Sequence, residues 1–310
     1  FFSGVRQYSS TMFTQRKLML ILALLLPAVP AGASILYVLT GPPGASDELF
    51  GTFDTATGAF RQIGPGTEGS TGLVSGPNGQ LISLGFSGSL NSIDPVTGAT
   101  TRIGPTGLSD CSDPISSPCG PKSANALGSV GGQIYATDFD NRLYQINAVT
   151  GAATLIGPTG IPALPFTPIT TNPDNTLNAY DESIFGANGN LYATFDAITV
   201  SLDTFTLSVV IPPNLYRINP KTGATTLIGV TDLGLSTVAA ANGVYYAFNA
   251  GTNQVVTLDL VTGRTSGVID FDPSIGIVTG AVATPEPASA ALAVLGFAGL
   301  AVYARRKELL

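Results

Sequence analysis

The chain has 310 residues, 44% hydrophobic and 11% charged, so it is neither disordered nor highly solvated and can bury one large core or two smaller ones. Residues 34–284 carry 7 basic and 18 acidic side chains, a formal charge of −11, which argues against nucleic acid as a partner. There is no His, which removes the commonest general base near neutral pH and the commonest metal ligand.

The first Met is Met12, and residues 1–11 read as an over-extended start outside the fold. From Met12 a basic patch at Arg16-Lys17 leads into an apolar run over 18–26 and then a Pro- and Ala-rich stretch, the three-part layout of a secretory signal peptide with a signal helix. Ala31 and Ala33 are small enough for a signal peptidase pocket, which predicts cleavage between Ala33 and Ser34. The alternative, an N-terminal membrane anchor, has an apolar run too short to span comfortably.

Between residues 34 and 284 one phrase recurs five times: Asp or Asn, two variable residues, then Thr-Gly. The copies are Asp54-Thr-Ala-Thr-Gly58, Asp94-Pro-Val-Thr-Gly98, Asn147-Ala-Val-Thr-Gly151, Asn219-Pro-Lys-Thr-Gly223 and Asp259-Leu-Val-Thr-Gly263. Asp or Asn bonds forward to the backbone as an Asx-turn and Gly supplies a positive φ, so each phrase predicts a β-hairpin. Five calcium loops would need several carboxylates per turn, and each turn offers one Asp or Asn. Upstream of most copies stands a second element, at Asn78-Gly-Gln-Leu81, Gly132-Gln-Ile-Tyr135, Asn188-Gly-Asn-Leu-Tyr192 and Asn242-Gly-Val-Tyr245, in which Asn-Gly signals a hairpin turn, preceded by expected strands over 71–75, 124–130, 183–187 and 237–241.

Each unit thus holds about four short strands in roughly 40 residues, the size of a propeller blade. The turn glycines are spaced 40, 53, 72 and 40 apart, and the two long intervals contain insertions: residues 111–121, and 161–176 together with an extended hairpin near 198–213. The first unit lacks its leading strand, because Ile35-Leu-Tyr-Val-Leu39 matches the second strand of the others; residues 275–283 supply it from the far end. Closure of that kind removes open sheet edges. The expected fold is all-β, a closed five-bladed β-propeller over 34–284.

Cys111 and Cys119 lie in the Pro- and Ser-rich insertion and read as a local disulfide in an exported chain; the metal alternative lacks further ligands. Asp138, Asp140 and Asp196 follow corresponding strands, with Asp181-Glu182 in a loop before another, and together are candidates for an acidic rim. Tyr37, Tyr135, Tyr192 and Tyr245 stand at matching strand positions, where they either pack between blades or offer a face to a sugar ring. No Ser-His-Asp set, Cys-His pair, nucleophile elbow or phosphate-binding Gly-rich loop is present, and no catalytic residue, cofactor or metal site is assigned.

At the far end Pro285-Glu286-Pro287 precedes an apolar run over 288–304 and the basic cluster Arg305-Arg306-Lys307. This order resembles the PEP-CTERM sorting signal of Gram-negative bacteria, recognised by a membrane protease called an exosortase. The run at 1.5 Å per residue reaches ~26 Å, near the lower limit for a transmembrane helix, with Arg305 and Arg306 held on the cytoplasmic side. A plain anchor with no processing is the alternative. The organisation expected is 1–33 start and signal peptide, 34–284 propeller, and 285–310 sorting signal with transmembrane helix and basic tail. The resemblance implies a surface or matrix protein, with signal peptidase and an exosortase-type enzyme as processing partners and exopolysaccharide or envelope proteins as binding partners; the absence of His and of catalytic motifs makes a non-enzymatic binding or structural module the leading expectation. The competing function is a polysaccharide-active enzyme working through a pair of carboxylates.

Overall fold

The structure is a computed structural model that describes residues 34–41, 47–109, 122–162, 176–201, 203–204, 207–232 and 234–284. The expected signal peptide through Ala33, the pair Cys111 and Cys119, and the tail with Pro285, Glu286, Pro287, Arg305, Arg306 and its expected helix lie outside the described residues. Among the described residues no helix is long and apolar enough to cross a membrane.

The first three strands are β1 (Ile35–Gly41), β2 (Asp47–Asp54) and β3 (Ala59–Glu68). The second blade is β4 (Ser70–Ser75), β5 (Leu81–Gly85), β6 (Ser89–Ile93) and β7 (Thr100–Pro105). The third is β8 (Ala124–Val130), β9 (Gln133–Asp138), β10 (Arg142–Ile146) and β11 (Ala153–Pro158). The fourth is β12 (Thr176–Ala187), β13 (Asn190–Ser201), β14 (Leu207–Ile218) and β15 (Thr225–Val230). The fifth is β16 (Leu235–Ala241), β17 (Val244–Asn249), β18 (Gln254–Leu258) and β19 (Thr265–Asp270), followed by β20 (Ile277–Ala283).

Each blade is a four-stranded antiparallel meander, and the first takes β20 as its inner strand in the order β20-β1-β2-β3. Leu36 pairs with Ala283 and Val38 with Ala281, so the two ends of the domain close the ring. The inner strands contact in the cycle β4, β8, β12, β16, β20 and back to β4. This is the five-bladed propeller expected from the repeats.

The turn chemistry accounts for the meanders. Asn78, Asn188 and Asn242 sit at φ 62°, 50° and 52°, each followed by a glycine also at positive φ, the backbone of a tight hairpin turn. In the Thr-Gly turns the head residue bonds two residues forward, as from Ala56 N–H to Asp54 Oδ1 at 2.8 Å and from Val261 N–H to Asp259 Oδ1 at 2.7 Å.

The apolar residues do not form the one or two cores that chain length suggests. They form five clusters, one in each gap between blades: Leu39, Phe50 and Leu73 join the first and second blades, for example, and Phe185, Leu215 and Val238 the fourth and fifth. Both faces of every blade are apolar because every blade has a neighbour on each side. Glycine permits the closest approach. A Cβ on Gly104 of β7 would stand 2.2 Å from the Thr150 carbonyl of the next blade's turn, and equivalent contacts join Gly64 to Thr97, Gly157 to Thr222 and Gly229 to Thr262.

The tyrosines serve these gaps. Tyr37 stacks on Phe50 with ring centroids 5.4 Å apart, and Tyr192 on Phe185 at 5.6 Å. The fifth-blade member of the set is Tyr246, not Tyr245: Tyr246 pairs with Ala239 as Tyr192 pairs with Phe185, and Tyr245 points to the other face of its sheet. Val244 fills the first place after the turn, as Asn190 does in the fourth blade, so Tyr245 stands in the place of Leu191.

Candidate functional site: a face of buried carboxylates

Antiparallel meanders put the beginnings of all five inner strands on one face of the ring and the Asn-Gly and Thr-Gly turns at the other. On that first face β7 and β11 end and β8 and β12 begin, and there too lie the ends of β1 and β13 and the starts of β2 and β14. Of the carboxylates named as candidates for an acidic rim, Asp140 is exposed and the others are not a solvated rim. Asp181 and Glu182 lie inside the inner strand β12 rather than in a loop, because that strand begins at Thr176, and Glu182, Asp138 and Asp196 are all buried.

Asp138 is held on every side. Arg142 donates from Nε to its Oδ2 at 2.8 Å and pairs with it through a second nitrogen at 2.7 Å, and the Tyr144 hydroxyl adds a bond of 2.8 Å to the same oxygen. The N–H groups of Asp140 and Arg142 reach Oδ1, so this carboxylate shapes the β9–β10 turn. Asp140 pairs with the same guanidinium at 3.1 Å. The hydrogen bond to Asp138 raises the Arg142 pKa, while burial, with help from Asp138, pushes Tyr144 up to about 12.

Glu182 faces the third blade, where it accepts from the Asn125 amide and, at 2.9 Å, from the Thr137 hydroxyl. No cation accompanies it there among the described residues, and burial pushes its carboxyl up to about 8, with Thr137 opposing and Asp138 adding to the rise. Asp181 and Asp196 are directly opposed across β12 and β13. The Gly234 N–H donates to Asp196 Oδ2 at 2.7 Å, whereas Asp196 Oδ1 is buried without a hydrogen-bond partner. Burial lifts Asp181 to about 6, and burial together with the Asp181 charge lifts Asp196 to about 7.

Sequence reasoning missed Glu48 of β2. It lies buried where the first and second blades meet, accepting from Thr67 at 2.9 Å and from Thr279, and burial raises its pKa against the hydroxyls of Thr279, Ser70 and Thr67. No sequence signal separates it from an exposed strand glutamate. The central channel is a cavity of about 100 Å³ lined by all five inner strands, from Leu73 and Leu127 to Val238 and Ala281, with no ionisable side chain on its wall. Among the described residues no group of three or more carboxylates or thiolates is placed to hold a metal ion.

Residues 283–307 match the PEP-CTERM protein-sorting motif. That motif implies export, sorting to the surface of a Gram-negative bacterium and processing by an exosortase. No curated protein matches the chain. Among solved structures it is similar to a chain of a Nidogen/Laminin complex, at 14% identity and a TM-score of 0.44 over 81% of this chain and 98% of that one. It is similar also to the PQQ-bound aldose sugar dehydrogenase of Streptomyces coelicolor, at 13% identity and a TM-score of 0.41 over 72% and 87% of the two chains. A third similarity is to Myxococcus xanthus glutaminyl cyclase, at 16% identity and a TM-score of 0.35 over 65% and 70%. The protein is a five-bladed β-propeller with a PEP-CTERM protein-sorting motif that begins at the last residue of its ring-closing strand.

Proposed function

We propose that the protein is a non-enzymatic binding or structural component of the bacterial envelope or extracellular matrix, delivered by signal peptidase and trimmed by an exosortase-type enzyme. The observation that carries the reading is the position of the sorting motif. It starts at Ala283, the last residue of β20, and Thr284 is tied back to the Ile35 carbonyl by its N–H at 3.2 Å and its hydroxyl at 2.9 Å. The ring is therefore complete at the first residues of the motif, and removal of residues after Thr284 leaves every blade intact. The non-enzymatic part is supported by the seating of the carboxylates, which serve turns and blade contacts, and by a channel wall of apolar side chains with the Ser129 and Thr237 hydroxyls and no ionisable group.

The test is mass spectrometry of the protein from its native host, with cell-associated and secreted fractions analysed separately and without reduction. The reading expects a chain starting at Ser34 and ending near residues 285–287, with the mass of a Cys111 to Cys119 disulfide. A tail intact to Leu310 in the membrane fraction would refute the sorting step and leave an anchored propeller.

A further inference from the structure

On the opposite face of the ring, the fourth blade has a cleft of about 460 Å³ lined by Asn190, Arg217, Asn219, Lys221 and Thr226 over a floor that includes Ile218. The repeats show how this blade differs. Arg217 pairs with Tyr192 across the sheet, and the residues at the same place in the other blades, opposite Tyr37, Ile82, Tyr135 and Tyr246, are Thr52, Ser92, Gln145 and Thr257. Lys221 is the third residue of its turn, where the other blades carry Ala56, Val96, Val149 and Val261. Both positions are neutral in four blades and cationic in one, within a domain whose formal charge is −11.

Neither cation is neutralised locally. In the third blade the Gln145 amide donates to Gln133 at 2.6 Å; in the fourth, the Asn190 amide turns instead to the Asn188 carbonyl at 3.0 Å. Arg217 and Lys221 are exposed, and the ion pairs among the described residues are those of Arg142. The head of this turn is Asn219, and that of the neighbouring third blade is Asn147, whereas the turns of the first, second and fifth blades begin with Asp54, Asp94 and Asp259. The cleft is thus a locally positive place on an acidic molecule.

We infer that this cleft binds an acidic saccharide through its carboxylate, with Arg217 and Lys221 as the anion clamp. The planar fork of a guanidinium matches a carboxylate bidentately, and the ammonium adds a second charge that can swing to it. Asn190 and Thr226 provide neutral polar walls suited to ring hydroxyls, and no aromatic side chain lines the cleft to stack a nucleobase. A phosphate shares the anionic chemistry, and the experiment separates the two. The inference rests on the reading of the propeller as a binding module and names what it binds.

The test is calorimetric titration of the full chain with trigalacturonate, with uncharged galactotriose and inorganic phosphate as parallel arms. The comparison protein carries R217S and K221V, which install the residues of the second blade at two exposed positions. The expected result is saturable binding of trigalacturonate that weakens as salt rises and falls at least tenfold in the double variant, with no binding of galactotriose. No binding of trigalacturonate, equal binding by the variant, or tighter binding of phosphate than of trigalacturonate would each overturn the inference. In any of those cases, co-sedimentation of the chain with host matrix would still uphold the binding-module reading, and its loss would end both.

Discussion

Glu182→Gln tests whether the seating of the carboxylates governs stability. A carboxyl whose pKa is raised on folding stabilises the native state fully below its unfolded value and loses that contribution as pH rises through the folded value. For Glu182 the window runs from about 4.5 to about 8, and Asp181 and Asp196 titrate inside it, up to about 6 and about 7. At 1.36 kcal/mol per pKa unit, the ionised Glu182 costs the fold on the order of 4 kcal/mol at pH 9 relative to pH 4. Glutamine keeps an oxygen for the Thr137 hydroxyl and an amide that exchanges hydrogen bonds with Asn125, but never ionises. At 2–4 °C per kcal/mol, the variant is expected to melt ~10 °C above the wild type at pH 9 and within a few degrees of it at pH 4.5. Circular dichroism melts at half-unit pH steps would read this out. A wild-type melting temperature that is flat from pH 5 to pH 9, or a variant destabilised equally at both ends, would refute the reasoning.

Three further outcomes follow from the same contacts. Arg142→Met is expected to destabilise by ~3 kcal/mol in urea unfolding at pH 7, because it strands the fully buried Asp138 with the Tyr144 hydroxyl and two N–H groups as its remaining partners; Arg142→Met combined with Asp138→Asn should recover part of the loss. Gly104→Ala is expected to cost ~3 kcal/mol in the same assay, since its Cβ meets a backbone carbonyl, while Gly107→Ala, with nothing within 4 Å, should cost only the ~1 kcal/mol of a positive φ. Removing residues 277 onward should shift the protein into aggregates on gel filtration, because the β1 edge loses its partner and Glu48 loses Thr279.

The blade count and the closing strand were legible because they rest on backbone rules that one or two residues satisfy. Gly58, Gly98 and Gly263 have positive φ wherever the phrase occurs, and a repeat of such turns fixes a repeat of strands. Side-chain environments were less legible. Asp181 and Glu182 read as loop because they are polar and follow a Pro-rich insertion, yet the blade extends its inner hairpin to Thr176 and takes them inside. Tyr245 was mistaken for Tyr246 because a side chain's face depends on register counted from the turn, and Val244 takes a place that Gln133 and Asn190 fill elsewhere. The recurring Ile-Gly of the outer strands, as in Ile103-Gly104 and Ile156-Gly157, is plain in the sequence, but its reason lies in the turn of the next blade and not within its own.

The arrangement of buried acids bears on how a ring of separate blades stays closed. Each blade gap has its own small core, so opening one gap exposes only one cluster, and the weakest gap limits the whole ring. Hydrogen bonds between blades supplement the apolar contacts at three gaps on the carboxylate face: Glu48 with Ser70, Glu182 with Asn125 and Thr137, and Asp196 with the Gly234 N–H. At the closing gap the device is different, with the Ser236 hydroxyl bonded to the Val278 carbonyl at 2.7 Å and no buried acid among the described residues. That gap is the one formed last along the chain and the one next to the sorting motif. That bond joins a hydroxyl to a backbone carbonyl, neither of which titrates between pH 4 and 9, whereas the gaps on either side of the fourth blade are expected to loosen as Glu182 and Asp196 ionise.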